Sequence, residues 1–347
     1  MSKKKKNKAH LHKRVSPTKF IYFWVFVILL VIFLVILKTL GFEKNEQKVF
    51  KSDNPLVLNF GDVMFDRGVR NIMEKGRDPF EYIKKDINII KNFDVVIANL
   101  EGPIVEMDRN LCQAKAYNFQ FALNTPTLLK SAGINMVNIA NNHFYDCYWT
   151  GYVSTKNSLQ AAGIDYIGDF QLSNSFVVKN IKGKKVAFIG MDQTVQMTPI
   201  AKFYPIVKKL KSENDYVVVN IHWGTEYYLD ATSIQRSIAH TLIDNGADVI
   251  FGAHPHVVEP VEIYKGKAIF YSLGNFVFDQ TDIHTTDGLG VGVEFATDKN
   301  IFTLFPYNIK SFAPALLKGD ELVKYCQNYL RNFLHNGCSL EIKNQIL

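Results

Sequence analysis

The sequence predicts an α/β domain carried outside a membrane by one N-terminal helix, and three observations support that prediction. From Leu56 onward, short β-branched runs alternate with helical segments. Each run is apolar without clean alternation, the mark of strands covered on both faces. Ahead of them, Phe20 to Leu37 is an unbroken run of eighteen uncharged, almost wholly apolar residues.

The elements follow in chain order. Residues 1–19 are a basic tail holding Lys3, Lys4, Lys5, Lys6, Lys8, Lys13, Arg14 and Lys19 and no acid. The 347-residue chain carries +7, yet without this tail 32 basic residues face 33 acidic ones. The basic balance therefore belongs to the tail. No basic face interleaved with aromatics follows, so the domain reads as having no nucleic-acid partner. Residues 20–38 read as a transmembrane helix, since eighteen helical residues rise about 27 Å, close to the ~30 Å hydrocarbon core of a bilayer. A cleaved signal peptide fits less well, because the run is longer than the usual hydrophobic region and Lys38-Thr39-Leu40-Gly41-Phe42 offers no small-x-small cleavage site. The positive-inside rule places the tail in the cytoplasm and the rest of the chain across the membrane, single-pass. Residues 39–55 are a polar linker, 56–312 the main domain, and 313–347 a C-terminal docking helix and tail.

Within the domain, Leu56–Phe60, Asp94–Ala98, Asn135–Ala140, Val186–Ile189, Tyr216–Ile221, Asp248–Phe251 and Ala268–Tyr271 read as buried strands, with further strands over 290–310. Helices are expected over Pro79–Asn92, Thr125–Ala132, Tyr152–Ala162, Pro199–Ser212 and Ser233–Asn245. From Glu321 to His335, Leu322, Cys326, Leu330 and Phe333 share one helical face. Strand and helix in alternation are the grammar of an α/β fold. Of four cysteines, Cys112–Cys147 and Cys326–Cys338 are pairings open to an external compartment, with free buried thiols the alternative.

The chemistry collects where strands stop. Leu56–Phe60 runs into Gly61-Asp62, and Asp94–Ala98 into Asn99-Leu100-Glu101. Asn135–Ala140 runs into Asn141-Asn142-His143, with Asp146 beyond. Tyr216–Ile221 leads to His222 and, after a short step, Glu226. Asp248–Phe251 leads to His254 and His256. Ligands of open α/β sheets bind outside the carboxyl ends of strands, so these clusters should converge. Two or three imidazoles, one or two carboxylates and an amide oxygen suit one or two divalent ions such as Mn, Fe or Zn. Such ions activate water and clamp an oxyanion, and a histidine left unbound can protonate a leaving group.

The series GDVMFDR, NLEGPI, ANNHFYD, HWGTE, GAHPH and SLGNFVF, from Leu56 to about Phe278, resembles the CapA family of bacterial capsule-synthesis proteins, also called poly-γ-glutamate biosynthesis proteins. The resemblance implies a calcineurin-like metallophosphoesterase-type sandwich, two β-sheets face to face with helices outside. It implies metal ligation by Asp62, Glu101 as bridging carboxylate, Asn142, His222, His254 and His256. His143 becomes the leaving-group acid or a phosphate contact, and Glu226 a base or a ligand-orienting group. For Asp146, capping a helix or supporting a ligand is as compatible as direct ligation. Arg67 would grip a phosphate or carboxylate of the substrate, a structural salt bridge with Asp66 or elsewhere being the alternative. The sequence departs from the metallophosphoesterase pattern at Met64, where a histidine is usual, and at Asn-Leu-Glu, which replaces Gly-Asp-x-x-Asp. Within the CapA pattern, Tyr148 stands where glycine is common. A membrane-anchored metal-dependent hydrolase or transferase of capsule biosynthesis is thus expected. Its partners would be other membrane subunits of a synthesis complex and an anionic polymer or phosphorylated substrate. A non-catalytic polymer-binding or scaffold subunit, and a metallophosphoesterase unrelated to capsule, are the alternatives.

Overall fold

The structure is a computed structural model, and it describes residues 52–195, 198–329 and 339–343, together with Phe26 and Ile28. The basic tail, nearly all of the expected span and most of the linker lie outside these. Among the described residues no helix is long and apolar enough to cross a membrane.

The chain opens with β1 (Leu56–Val63), β2 (Val95–Leu100), β3 (Met136–Asn138) and β4 (Asp165–Ile167). These pair in parallel, each with the next. A hairpin of β5 (Phe176–Ile181) and β6 (Lys184–Asp192) starts a second sheet. It continues with β7 (Tyr216–His222), β8 (Val249–Ala253), β9 (Val261–Tyr264) and β10 (Lys267–Phe270), in the order β5-β6-β7-β8-β10-β9. The chain then returns to the first sheet with β11 (Asn275–Val277), β12 (Asp287–Phe295), β13 (Lys299–Lys310), β14 (Ala313–Leu316) and β15 (Ser339–Lys343). That sheet runs β14-β13-β12-β1-β2-β3-β4, with β11 beside β1 and β15 beside β13.

The two-residue period of a strand explains why the runs lack alternation. Val57, Val95, Ile97 and Met136 face Val186, Phe188, Val218 and Phe251 in a core between the sheets. Their neighbours Leu58, Val96, Ala98 and Val137 face the other way, against Leu129 and Leu159 of outer helices. On the far side Ala187, Val219 and Ile250 pack against Val207, Leu210, Ile238 and Leu242. Both faces of both sheets are thereby covered, and the layers run helix, sheet, sheet, helix, as expected.

Three elements differ from expectation. The helix expected over Pro79–Asn92 is broken into a 3-10 turn, Ile83–Asp86, and one helical turn, Ile87–Ile90. Asp86 leaves helical geometry at φ −108° and accepts a hydrogen bond from Lys318. A helix over Arg67–Glu74 buries only Val69, too thin an apolar stripe to be read from sequence. Residues 313–347 supply two edge strands, β14 and β15, as well as the helix Gly319–Tyr329, on which Cys326 is buried. Cys112 and Cys147 form a disulfide. Cys326 is disulfide-bonded too, while Cys338 lies outside the described residues.

Candidate metal centre

Parallel pairing puts the strand ends in two rows. In the first sheet Asp62 stands beside Asn99 and Asn99 beside Asn138. In the second, Asp192 stands beside His222 and His222 beside Ala253, one residue before His254. A bulge in β1 aims Asp62 into the gap, because the register with β2 shifts between Asn59 and Asp62. Bulges next to sites commonly re-aim a side chain in this way. Only glycine fits at Gly61, where a Cβ would come within 1.8 Å of the Gly274 carbonyl oxygen.

Two groups of ligand atoms meet there, Asp62 with Glu101 and His222, and Glu101 with His254 and His256. Within each group the atoms lie within 4.8 Å of one another. Glu101 is common to both, the position of a carboxylate that bridges two ions. Every one of these side chains is buried. Asn99, also buried, ties the set together: its Nδ2 donates to Asp62 Oδ1 at 2.7 Å and to Glu101 Oε2, and lies 3.3 Å from His222 Nδ1. His256 Nδ1 lies 2.9 Å from Asn275 Oδ1 and 3.2 Å from Asp62 Oδ2, which leaves its other ring nitrogen for a ligand. The backbone at His254 (φ 98°) and His256 (φ 60°) is in the left-handed region, a strain typical of functional sites.

The donors fit a cation. Glu101 Oε1 and His254 Nδ1 are buried without a hydrogen-bond partner, and His222 Nε2, 3.4 Å from that oxygen, does not satisfy it. Bare buried acceptors at a point of convergence call for a positive partner. The field at the site is divided accordingly. Burial lowers the affinity of His254 for a proton, and the neighbouring His222 and His256 lower it further, to a pKa of about 2. Burial also opposes charge on His222, but Glu101 and Asp62 outweigh it and push that pKa up to about 9. Asp62 is held below the usual carboxylate range by His256, His222 and Asn99 despite its burial. A divalent ion held here would compete with a proton on the His222 side, whereas His254 would offer its lone pair without that competition.

The other expected residues stand around this centre. Asn142 Oδ1 lies 2.9 Å from His222 Nε2, at the edge of the ligand set. His143 is held through Nδ1 by Asp146 Oδ2 at 2.8 Å, and its ring lies against Phe119 with centroids 4.2 Å apart. Asp146 thus supports a histidine. It does not cap the helix Tyr148–Ala161, which has no side-chain cap. Tyr148 itself has φ 51°, the left-handed backbone that explains the glycine common at that place. Arg67 pairs with Asp279, not with Asp66, which pairs with Arg70 instead. Its guanidinium sits 5.1 Å from the Phe119 ring and 5.6 Å from Phe278, and its Nε is buried without a partner. Glu226 is not brought into the ligand groups. Gly224 (φ 88°) turns the chain outward, and Glu226 is exposed at the rim of a 390 Å³ chamber that it shares with Arg67, His143 and His256.

Met64, at the position where a histidine would extend the set, is fully buried, and its Sδ accepts from the Asp66 backbone. Sequence reading missed three contributors: Lys115, which pairs with Asp146, Phe119 and Asp192. Asn275 belongs to a further strand-end cluster, Ser272-Leu273-Gly274-Asn275 after Ala268–Tyr271, that the sequence points to, and Asp192 is a strand-end residue like the others. Lys115 and Phe119 carry no such signal.

A family model described as bacterial capsule synthesis protein PGA_cap matches residues 57–280. The PGA biosynthesis protein CapA of Bacillus subtilis is 33% identical over 324 residues, covering 86% of this chain and 84% of that protein. The capsule biosynthesis protein CapA of Bacillus anthracis is 33% identical over 279 residues, covering 73% of this chain and 67% of that one. Among solved structures, a hypothetical protein from Thermus thermophilus superposes with a TM-score of 0.45 at 19% identity, over 75% of this chain and 96% of that one.

Proposed function

The chain belongs to the bacterial capsule synthesis protein family, and from that premise we propose that it is a membrane-anchored, metal-dependent hydrolase or transferase of poly-γ-glutamate-type capsule assembly. The observation that carries the reading is the pair of ligand groups sharing Glu101, with two of its buried donor atoms left bare. Asp62, Glu101, His222, His254 and His256 would hold one or two divalent ions of the Mn, Fe or Zn kind, with Asn142 at their edge. When bound, such an ion supplies Lewis acidity and a water of lowered pKa.

The remaining work falls to the chain's own side chains. Asp146 fixes the ring of His143 through Nδ1, so Nε2 is the atom that exchanges a proton with the leaving group. Arg67, between two aromatic rings and with Nε uncommitted, holds an anionic group of the substrate. Glu226 at the rim steers and orients what enters. The disulfide Cys112–Cys147 supports an oxidising, extracytoplasmic setting, consistent with an anchor at 20–38 and with other membrane subunits of a synthesis complex as partners.

A second reading, a polymer-binding or scaffold subunit without turnover, draws on Met64, which removes one ligand from the first motif. Metal analysis of the purified full chain, with phosphodiester and γ-glutamyl amide substrates assayed in parallel, decides between them. A turnover enzyme should contain stoichiometric divalent metal and lose at least roughly a thousandfold of its activity in Glu101→Gln. A metal-free preparation, or Glu101→Gln at wild-type activity, would falsify the enzymatic reading.

A further inference from the structure

Asn142 and Lys115 line two chambers at once. One is the 390 Å³ chamber of Arg67, His143 and Glu226. The other, of 250 Å³, lies between the ends of β3, β4 and β6 and has a different character. Its walls include Ile139, Phe144, Phe170, Met191 and Phe203. Gly168 and Gly190 form its narrow base, where a Cβ on either would come within 2.6 Å of Asn138 Oδ1. Its charged groups are also distinctive. Asp169 is buried and paired with Lys156. Asp192 accepts from Thr194 and Val195 of its own turn, and its charge helps to raise the proton affinity of His222, which stands beside it in the register. Lys115, at the boundary, is committed to Asp146.

A bond placed over the ligand groups therefore has two dissimilar neighbours. On the Arg67 side the guanidinium, paired with Asp279 through one nitrogen, keeps Nε as a donor for an anion. On the other side an anion would meet the Asp192 carboxylate within apolar walls, which penalises it through both repulsion and desolvation. We propose that the 250 Å³ chamber is a substrate subsite for an uncharged, apolar group, on the opposite side of the reacting bond from the anionic arm held by Arg67. The proposal rests on the metal-centre reading above, and it deepens it. A glutamyl unit carries a carboxylate and is excluded from this chamber, so the reaction takes place where an anionic segment joins an apolar one, not between two identical anionic units.

The probes are three phosphonates, whose anionic head serves the metal centre, titrated calorimetrically into the metal-loaded full chain. Phenylphosphonate should bind about tenfold or more tighter than methylphosphonate, the advantage of burying an aromatic ring. Phosphonoacetate, with an added carboxylate, should gain nothing over methylphosphonate. Val195 lines the chamber yet is 51% exposed, so Val195→Trp can fill the space without disturbing the core. It should abolish the phenyl advantage and leave methylphosphonate affinity and metal content unchanged. A second measurement reads the chamber without metal: 19F line broadening of 4-fluorobenzamide in EDTA, expected in the wild type and lost in Val195→Trp. Equal affinity for phenyl and methyl heads, or no broadening of 4-fluorobenzamide, overturns the subsite. If broadening is present and no phosphonate binds, the subsite stands and the metal-centre reading falls.

Discussion

The two halves of the site are held in place by different means. The ligand groups sit on strand ends, where parallel register places Asp62 beside Asn99 and Asp192 beside His222. The flank that carries Lys115 and Phe119 is a loop between β2 and the helix Thr125–Ser131, paired with itself only at the single bridge of Ile104 and Phe121. It is tied down by local staples instead, some of them at Gln120, which is hydrogen-bonded to Asp66 and Arg70, and others at Asp146 and Cys147. Cys112 is bonded to Cys147, Gln113 donates to the Asp146 carbonyl, and Phe119 N donates to Asp146 Oδ2. A buried centre built on strands inherits the rigidity of the sandwich. A flank built on a loop has only the rigidity of its staples, so it should be the half that fails first.

Breaking the covalent staple is the strongest test of that contrast. Bridging residues 35 apart constrains the unfolded chain by about 3–4 kcal/mol in the loop-entropy account. Cys112→Ser/Cys147→Ser should lose that much in urea unfolding while retaining its full metal content. If metal is lost in step with stability, centre and flank are one unit and the contrast is wrong. A smaller effect is expected from Asp146→Asn, which keeps the shape but weakens the hold on His143 Nδ1, Phe119 N and Lys115. Turnover should fall about 10- to 100-fold, in kcat more than in KM, with the alkaline limb of the pH–rate profile displaced and metal content unchanged. An unaltered pH profile would reduce Asp146 to a packing contact.

The same contrast governs what could be read from the sequence. Asp62, Glu101, His222, His254 and His256 were legible because ligands gather where parallel strands end, and a buried run followed at once by a polar residue marks that place. The α/β class was legible from runs apolar on both faces, and the two-sheet arrangement only from the family resemblance. Asp192 obeys the same rule as His222, but Gly190 ends the β-branched run two residues early and hides it. Glu226 illustrates the converse: nearness to His222 in sequence suggests a role at the centre, and the positive φ of Gly224 sends it to the rim. Arg67 lines the chamber of His143 and His256, and its partner Asp279 lies 212 positions away, beyond any local pattern. Lys115 and Phe119 could not be found at all, since their place depends on a disulfide and on a carboxylate that binds backbone as readily as side chain.

Behind the centre, a third kind of support gives the weakest effect and separates packing from chemistry. Glu259, three residues past His256, accepts a hydrogen bond from Gln235 Nε2 at 2.7 Å, while its Oε1 is buried without a partner. Gln235 in turn completes the capping box with Thr232 at the start of the helix Ser233–Asp244. Burial pushes the Glu259 carboxyl from its ordinary 4.5 up to about 8, and the bond from Gln235 only partly opposes this. The folded chain thus keeps a proton that the unfolded chain gives up. Stability is whole below the unfolded value, declines as pH rises from about 4.5, and stops declining near 8. Glu259→Gln cannot ionise, so its urea midpoint should lack this part of the slope, and its metal content and kcat should match the wild type at pH 6. A variant with the wild-type slope would show that Glu259 ionises freely in the folded chain. A variant that loses metal would show that the support behind the histidines belongs to the centre, and that the centre does not stand on its strands alone.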